Sequence, residues 1–275
     1  MKITIIGLGL IGGSIAKSLK RSGEHYITAM DNNDTVLLDA VSMGVIDNKA
    51  CVYDLEDSDI IYLCLYPEAA VNFIKENKKR IGKNTIVTDV CGIKSEIYPK
   101  LKSLAEENGF IYIGSHPMAG KEQSGFYASD SGLFIGASYI IVDDTENTEA
   151  RNKLSKIALS MGFGSVVYSD SLKHDMEIAY TSQLPHVLAC SYVLSPMCEN
   201  HHGFSAGSYR DVSRVADINA ELWSELFISN SEVLANEIDT LINNMENIKV
   251  LIKEKNSEKL TAILKTAGDN KRKYG

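Results

Sequence analysis

The feature that most constrains this chain is the run Gly7-Leu8-Gly9-Leu10-Ile11-Gly12-Gly13-Ser14, directly behind the apolar residues Ile3-Thr4-Ile5-Ile6. Residues 3–6 read as a short buried strand, and Ile15, Ala16 and Leu19 continue at helical spacing to Gly23, a natural stop. Strand, glycine turn and helix in that order make the phosphate-binding unit of a βαβ fold. Gly7 permits the tight turn, Gly9 admits a pyrophosphate to the backbone, and Gly12 lets the helix pack on the strand. The helix start, with Leu10 and Ile11 in its first turn, offers free N–H groups and the positive dipole end to the phosphates. Tyr26-Ile27-Thr28-Ala29-Met30 reads as a second strand closing at Asp31, 19 residues past Gly12. A carboxylate there hydrogen-bonds the adenosine ribose. Asp31-Asn32-Asn33 brings no arginine for a 2′-phosphate, so NAD is favoured over NADP.

Strands and helices go on alternating, which predicts an α/β domain with a doubly wound parallel sheet. Residues 59–65 and 85–89 read as strands, 67–79 and 95–108 as helices. Phe110-Ile111-Tyr112-Ile113-Gly114 reads as one buried strand. Residues 138–142 and 165–168 read as the last strands of the same sheet, flanking a helix near 146–161. Two strand-end stretches then fall on the ligand edge of the sheet: Asp89-Val90-Cys91-Gly92-Ile93-Lys94 and Ser115-His116-Pro117-Met118-Ala119-Gly120. His116 just past a strand stands where open α/β sheets bind ligands. Histidines also cap turns, and His116 alone does not separate the two readings. Lys94 is either a surface lysine or faces an anion or polar loop; Cys91 reads as packing.

From residue 170 no convincing strand follows, so the expected division is 1–169, dinucleotide-binding, and 170–275, helical. One helical stretch, 171–191, is interrupted by Pro185. Another runs from Glu221 to about Asn244. Ile248, Leu251, Ile252, Leu260 and Leu264 form the apolar face of a final helix, and 269–275 is a solvated basic tail. His174 and His186, 12 residues apart, do not share a face of one straight helix. Arg210 and Arg214 fit either a carboxylate site, since guanidinium forks match carboxylates, or a surface network with Asp211.

Composition narrows the class. The formal charge of −8 argues against a general nucleic-acid binder, and 44% apolar with 23% charged residues is ordinary for a globular protein. No run approaches the ~18 apolar residues of a membrane helix. Five cysteines without CxxC or other metal spacing fit a reducing, cytoplasmic setting and no metal site. Cys51, Cys64 and Cys190 lie in or beside apolar runs and read as small core residues.

Taken together, these segments resemble the prephenate dehydrogenase family over nearly the whole chain. The carrying motifs are Gly7-x-Gly9-x-x-Gly12-Gly13-Ser14, Asp89-x-x-x-x-Lys94, Ser115-His116-Pro117-Met118-Ala119-Gly120-x-Glu122-x-Ser124-Gly125, His174-Asp175, Ser182-x-Leu184-Pro185-His186 and Arg210-Asp211-x-x-Arg214-x-Ala216, with Trp223 beyond. The resemblance implies a Rossmann domain joined to a helical dimerisation domain. It implies oxidative decarboxylation of prephenate to 4-hydroxyphenylpyruvate with NAD, in tyrosine biosynthesis, by a cytoplasmic homodimer that uses neither nucleic acid nor membrane. Arogenate as substrate is the alternative within that class; a non-catalytic dinucleotide sensor is the alternative outside it. By resemblance, His116 is the catalytic histidine and Arg214 holds the substrate, at its ring carboxylate. His186 and Arg210 line the side-chain end, Trp223 lies near it, and Glu122 stands at the entrance as a gate or inter-subunit partner. Gly92 belongs to the cofactor side, where many members carry a serine that orients the histidine and the nicotinamide. Gln183 stands where many have a histidine.

Overall fold

The computed structural model describes residues 1–23, 25–121, 123–144 and 147–274. The chain first forms β1 (Lys2–Ile6), α1 (Leu10–Ser22), β2 (Tyr26–Met30), α2 (Asp34–Ser42) and the short β3 (Asn48–Lys49). It continues with β4 (Ile60–Leu63), α3 (Pro67–Asn77), β5 (Ile86–Asp89), α4 (Tyr98–Asn108) and β6 (Ile111–Tyr112). These six strands pair in parallel in the order β3-β2-β1-β4-β5-β6. Side chains alternate across it as the pleat requires. Ile3, Ile5, Ile60 and Tyr62 pack with Ile15, Ala16 and Leu19 of α1. Ile6, Ile61, Leu63 and Val87 pack with Ala70, Val71 and Ile74 of α3 and Leu101 and Leu104 of α4. Each such side chain contributes roughly 1.5–3 kcal/mol through burial. The strand order reverses between β1 and β4, and the crevice opens there, at the carboxyl ends.

The single strand expected over 110–114 is broken. Ile113 still donates its N–H to Val87 O at 3.1 Å. The chain then leaves the sheet, and β7 (Gly114–Pro117) pairs antiparallel with β8 (Ser138–Val142). After α5 (Thr148–Met161), β9 (Ser165–Ser169) adds in parallel to β8. The three form a separate sheet, β7-β8-β9, rather than extending the first. At Gly114 the chain crosses a buried cluster so closely that a Cβ would stand 3.3 Å from Asp89 Oδ2 and 3.4 Å from Lys94 Cδ. His116 therefore sits on a strand, opposite Ile140, and not in a free loop.

Past Ser169, Asp170 caps α6 (Ser171–Ile178) by accepting the Lys173 N–H at 2.7 Å. A π-helical turn, Ala179–Gln183, carries α6 into α7 (Leu184–Val193), so Pro185 interrupts nothing and lies in the first turn of α7. This turn corrects the expected facing of the two histidines. A π-turn takes up one extra residue, so 12 residues rotate like 11, about three turns plus 20°. His174 and His186 thus come back to nearly one face.

The remaining helices are α8 (Gly207–Ser213), α9 (Ala220–Ser229), α10 (Ser231–Lys253) and α11 (Ser257–Tyr274). The helix expected over 221–244 breaks at Asn230, whose buried amide donates to Asp175 O and Gln183 Oε1. Ile248, Leu251 and Ile252 belong to α10, not to a final helix with Leu260 and Leu264. The basic tail is helical to Tyr274. Cys51 is exposed rather than core; Cys64 and Cys190 are half-buried. Among the described residues no helix is long and apolar enough to cross a membrane.

Candidate active site

The glycine turn has the shape its spacing predicts. Gly7 has φ +94°, and a Cβ there would meet Cys64 O at 2.5 Å. At Gly12 a Cβ would stand 2.0 Å from Gly7 O, so α1 packs on the turn only because no side chain intervenes. Around Gly9 nothing lies within 4 Å of a Cβ position, leaving the space a pyrophosphate needs. The first turn of α1, with Leu10 and Ile11, has no side-chain cap and no acidic residue, so its N–H groups are available to an anion. Asp31 accepts the Leu8 N–H at 2.7 Å and the Asn33 N–H at 2.8 Å, which holds its carboxylate over the turn. These residues fit a dinucleotide.

This contrast gives a prediction. Gly12→Ala lowers both melting temperature and dinucleotide affinity, because the methyl collides with backbone. Gly9→Ala leaves the melting temperature unchanged and weakens binding by about tenfold or more, ~1.4 kcal/mol. Thermal melts and dinucleotide titration of both variants check it; an unaltered affinity in Gly9→Ala overturns the placement.

The second strand-end loop is pinned from inside. Lys94 is fully buried, and its Nζ donates to Asp89 Oδ1, to Cys91 O at 2.8 Å and to Ser115 O at 2.7 Å. All three ammonium hydrogens are thereby used, and the one given to Ser115 O joins the loop after β5 to the strand that carries His116. Lys94 is therefore neither a surface lysine nor a substrate ligand. Cys91 is buried, and desolvation with the nearby Asp89 charge pushes its thiol well above the usual range, so it is inert packing.

His116 is half-buried. Its Nδ1 lies 3.0 Å from Nε2 of His174, and Nδ1 of His174 lies 2.6 Å from Asp175 Oδ1. Burial holds the His116 imidazole well below its ordinary value near 6.5, and His174 and Lys94 push the same way. Gly92 is the neighbour on the other side; a Cβ there would lie 3.9 Å from His116 Cε1 and 3.6 Å from both methyls of Leu226. Leu226 belongs to an apolar cluster with Ile93 and Ile178, against which Trp223 and Met118 pack. That cluster closes the helical part over the loop. Glu225 Oε1 accepting the Glu68 N–H at 3.2 Å joins the two parts as well.

On α7, His186 stacks on Trp223 with ring centroids 3.7 Å apart. Its Nδ1–H donates to Ser182 O at 2.7 Å, which leaves Nε2 as the acceptor. Desolvation lowers the pKa of His186 against the pull of Ser182 O, and the charge of Arg214 lowers it further. The structure thus brings His186 together with Trp223 by stacking and with the charge of Arg214, and His116 together with Gly92; Arg214 is itself exposed. Arg210 is exposed on α8, one turn before Arg214. Glu122 lies outside the described residues. Gln183 has no place at the surface of the site: it is buried, donates to Leu226 O at 2.9 Å and accepts from Asn230. Sequence reasoning had the motif residues Lys94, His174 and Asp175 in view without their partners, which come from 21, 58 and 81 positions away.

Two family models match. The nucleotide-binding domain of prephenate dehydrogenase matches residues 15–167, and the dimerization domain of prephenate dehydrogenase matches 170–266. The chain is 28% identical to a prephenate dehydrogenase of Lactococcus lactis over 267 residues, covering 94% of this chain and 73% of that one. It is also 28% identical to a cyclohexadienyl dehydrogenase of Zymomonas mobilis over 272 residues, covering 94% and 90%. Among solved structures, prephenate dehydrogenase from A. aeolicus, in complex with hydroxyphenyl propionate and NAD+, superposes with a TM-score of 0.84 at 26% identity, covering 100% of this chain and 98% of that one.

Proposed function

The chain belongs to the prephenate dehydrogenase family, and from that premise we propose that it oxidatively decarboxylates prephenate to 4-hydroxyphenylpyruvate, with NAD as the hydride acceptor, on the route to tyrosine. The observation that carries this reading is His116: an imidazole whose Nδ1 is engaged by His174, kept neutral by burial, with Nε2 left to accept a proton. Gly7, Gly9, Leu10, Ile11, Gly12 and Asp31, together with Gly92, would hold NAD, which would supply the hydride acceptor. As C4 of the ring is oxidised its hydroxyl becomes acidic, and Nε2 of His116 takes that proton. The ring carboxylate departs as carbon dioxide, and aromatisation drives the step. Arg214 holds that carboxylate before it leaves, as a guanidinium suits. His186, Trp223 and Arg210 line the side-chain end, and Glu122 serves at the entrance. Residues 1–169 act as the cofactor domain and 170–275 as the substrate and dimerisation domain. The exposed Leu194, Phe204 and Ile228 give the latter apolar surface for a second copy.

One observation favours arogenate as a second reading. A neutral His186 presents an Nε2 lone pair, which suits the ammonium that arogenate carries where prephenate has a keto group. The test is kcat/KM for prephenate and arogenate, each with NAD and NADP, on the purified full chain. Prephenate with NAD is expected to be preferred. Arogenate preferred establishes the second reading, and no reduced cofactor from any combination, with normal NAD affinity, leaves a non-catalytic binder. The pH profile is a sharper expectation. His116 must be neutral to work, and its pKa is depressed, so activity is lost only as pH falls through a value below 6.5. The acid limb of kcat/KM against pH is expected below 6.5; a limb at or above it contradicts a buried base.

A further inference from the structure

We propose that His174 and Asp175 are positioning residues, a buried relay behind His116 that sets its ring as the Nδ1–H tautomer with the Nε2 lone pair turned to substrate. The inference rests on the reading of His116 as proton acceptor.

Asp175 is 1% exposed, and its carboxylate accepts the backbone N–H of Lys94 at 2.8 Å and of Ser95 at 2.6 Å. It also lies 2.6 Å from Nδ1 of His174. A carboxylate so supplied with donors is ionised and only accepts, so the proton between them sits on His174 Nδ1. Those bonds hold Asp175 below the usual carboxylate range although burial alone would raise it, and desolvation keeps His174 low and neutral. Nε2 of His174 is then a lone pair with no hydrogen to give. The 3.0 Å contact with His116 has one sense: His116 Nδ1–H donates. Its Nε2 carries no proton and is ready to take one. A histidine side chain in water prefers the Nε2–H tautomer, so the relay selects a form that solution does not favour.

Gly92 has no side chain to reach the ring, and among the described residues His174 makes the hydrogen bond to His116. The relay also spans the two parts of the molecule, with His116 on β7 and His174 and Asp175 on α6. The Lys94 and Ser95 amides that grip Asp175 belong to the cofactor domain, while Asn230 of the helical part holds the Asp175 carbonyl at 3.0 Å. Docking of the helical part therefore sets the protonation pattern of the base.

The test uses full-length protein labelled with 15N-histidine and long-range proton–nitrogen correlation, which separates the two tautomers. The His116→Asn variant identifies the His116 signal by its loss. The expected wild-type signal is Nδ1–H. In His174→Leu it switches to Nε2–H, and kcat falls on the order of 100-fold, as when a tautomer-fixing partner is lost, with KM little changed. In His174→Gln the amide oxygen accepts from His116 in place of Nε2, and both the Nδ1–H signal and most of kcat return. An Nε2–H signal in the wild type overturns the relay, a result that does not depend on any variant folding. So does unchanged kcat in His174→Leu with the switched signal. An Nδ1–H signal in a wild type that oxidises neither prephenate nor arogenate overturns the proposed function instead and leaves the relay standing.

Discussion

His116→Asn is expected to lower kcat with prephenate by about 10²–10⁴-fold while NAD affinity and melting temperature stay near wild type. Asparagine is the informative substitution because its amide nitrogen falls where Nδ1 of the ring lies. It keeps the donation to His174, and with it the packing behind β7, while nothing basic remains at the Nε2 position. The dinucleotide cradle, built from Gly7, Gly9, Gly12 and Asp31 at the ends of β1 and β2, is formed by other elements than the strand that carries His116 and has no reason to change. The loss belongs in kcat, since the missing group acts on a proton that moves only as the ring is oxidised. Steady-state kinetics beside an NAD titration measures it. Turnover within about threefold of wild type would remove His116 from the chemistry, because a proton acceptor contributes at least ~10²-fold.

Local features of this site were legible in the sequence and non-local ones were not. The Gly7–Gly12 turn and Asp31 follow from steric rules acting within one βαβ unit, and the strand order around them follows from the same pattern. His116 reads as a strand-end histidine, but the strand that carries it is set by pairing with β8, where its partner Ile140 lies far along the chain. His174 reads as a satisfied core histidine until α6 docks on the loop after β5. Pro185 reads as a helix breaker until the π-turn before it is seen to absorb the strain and rotate His186 back toward the crevice. Gln183 stands where many relatives have a histidine and is a clamp between the π-turn and the α9–α10 break. In each case the deciding partner lies on a different element, where neither period nor spacing reports it.

The same reasoning gives the largest stability effect. Lys94→Met is expected to destabilise the protein by about 3–5 kcal/mol, the usual result of removing one partner from a buried ion pair. For a chain of this size that is a fall of roughly 6–20 °C in melting temperature. Methionine fills much of the lysine volume, so packing is not what is lost. What is lost is the cation that neutralises Asp89, itself fully buried, together with the hydrogen bonds to Cys91 O and Ser115 O. Asp89 keeps the Tyr112 hydroxyl at 2.6 Å and the Cys91 N–H at 2.8 Å, but those neutral donors do not offset a full charge away from water. Converting Asp89 to asparagine in the same chain removes that charge. The double variant Asp89→Asn, Lys94→Met is therefore expected to melt above the single Lys94→Met. If the double variant melts no higher, the cost lies in the two orphaned carbonyls and not in the unpaired carboxylate. Because Ser115 precedes His116, both variants should also lose activity at temperatures where they remain folded: the strand carrying the base is tied to the cofactor loop through Lys94.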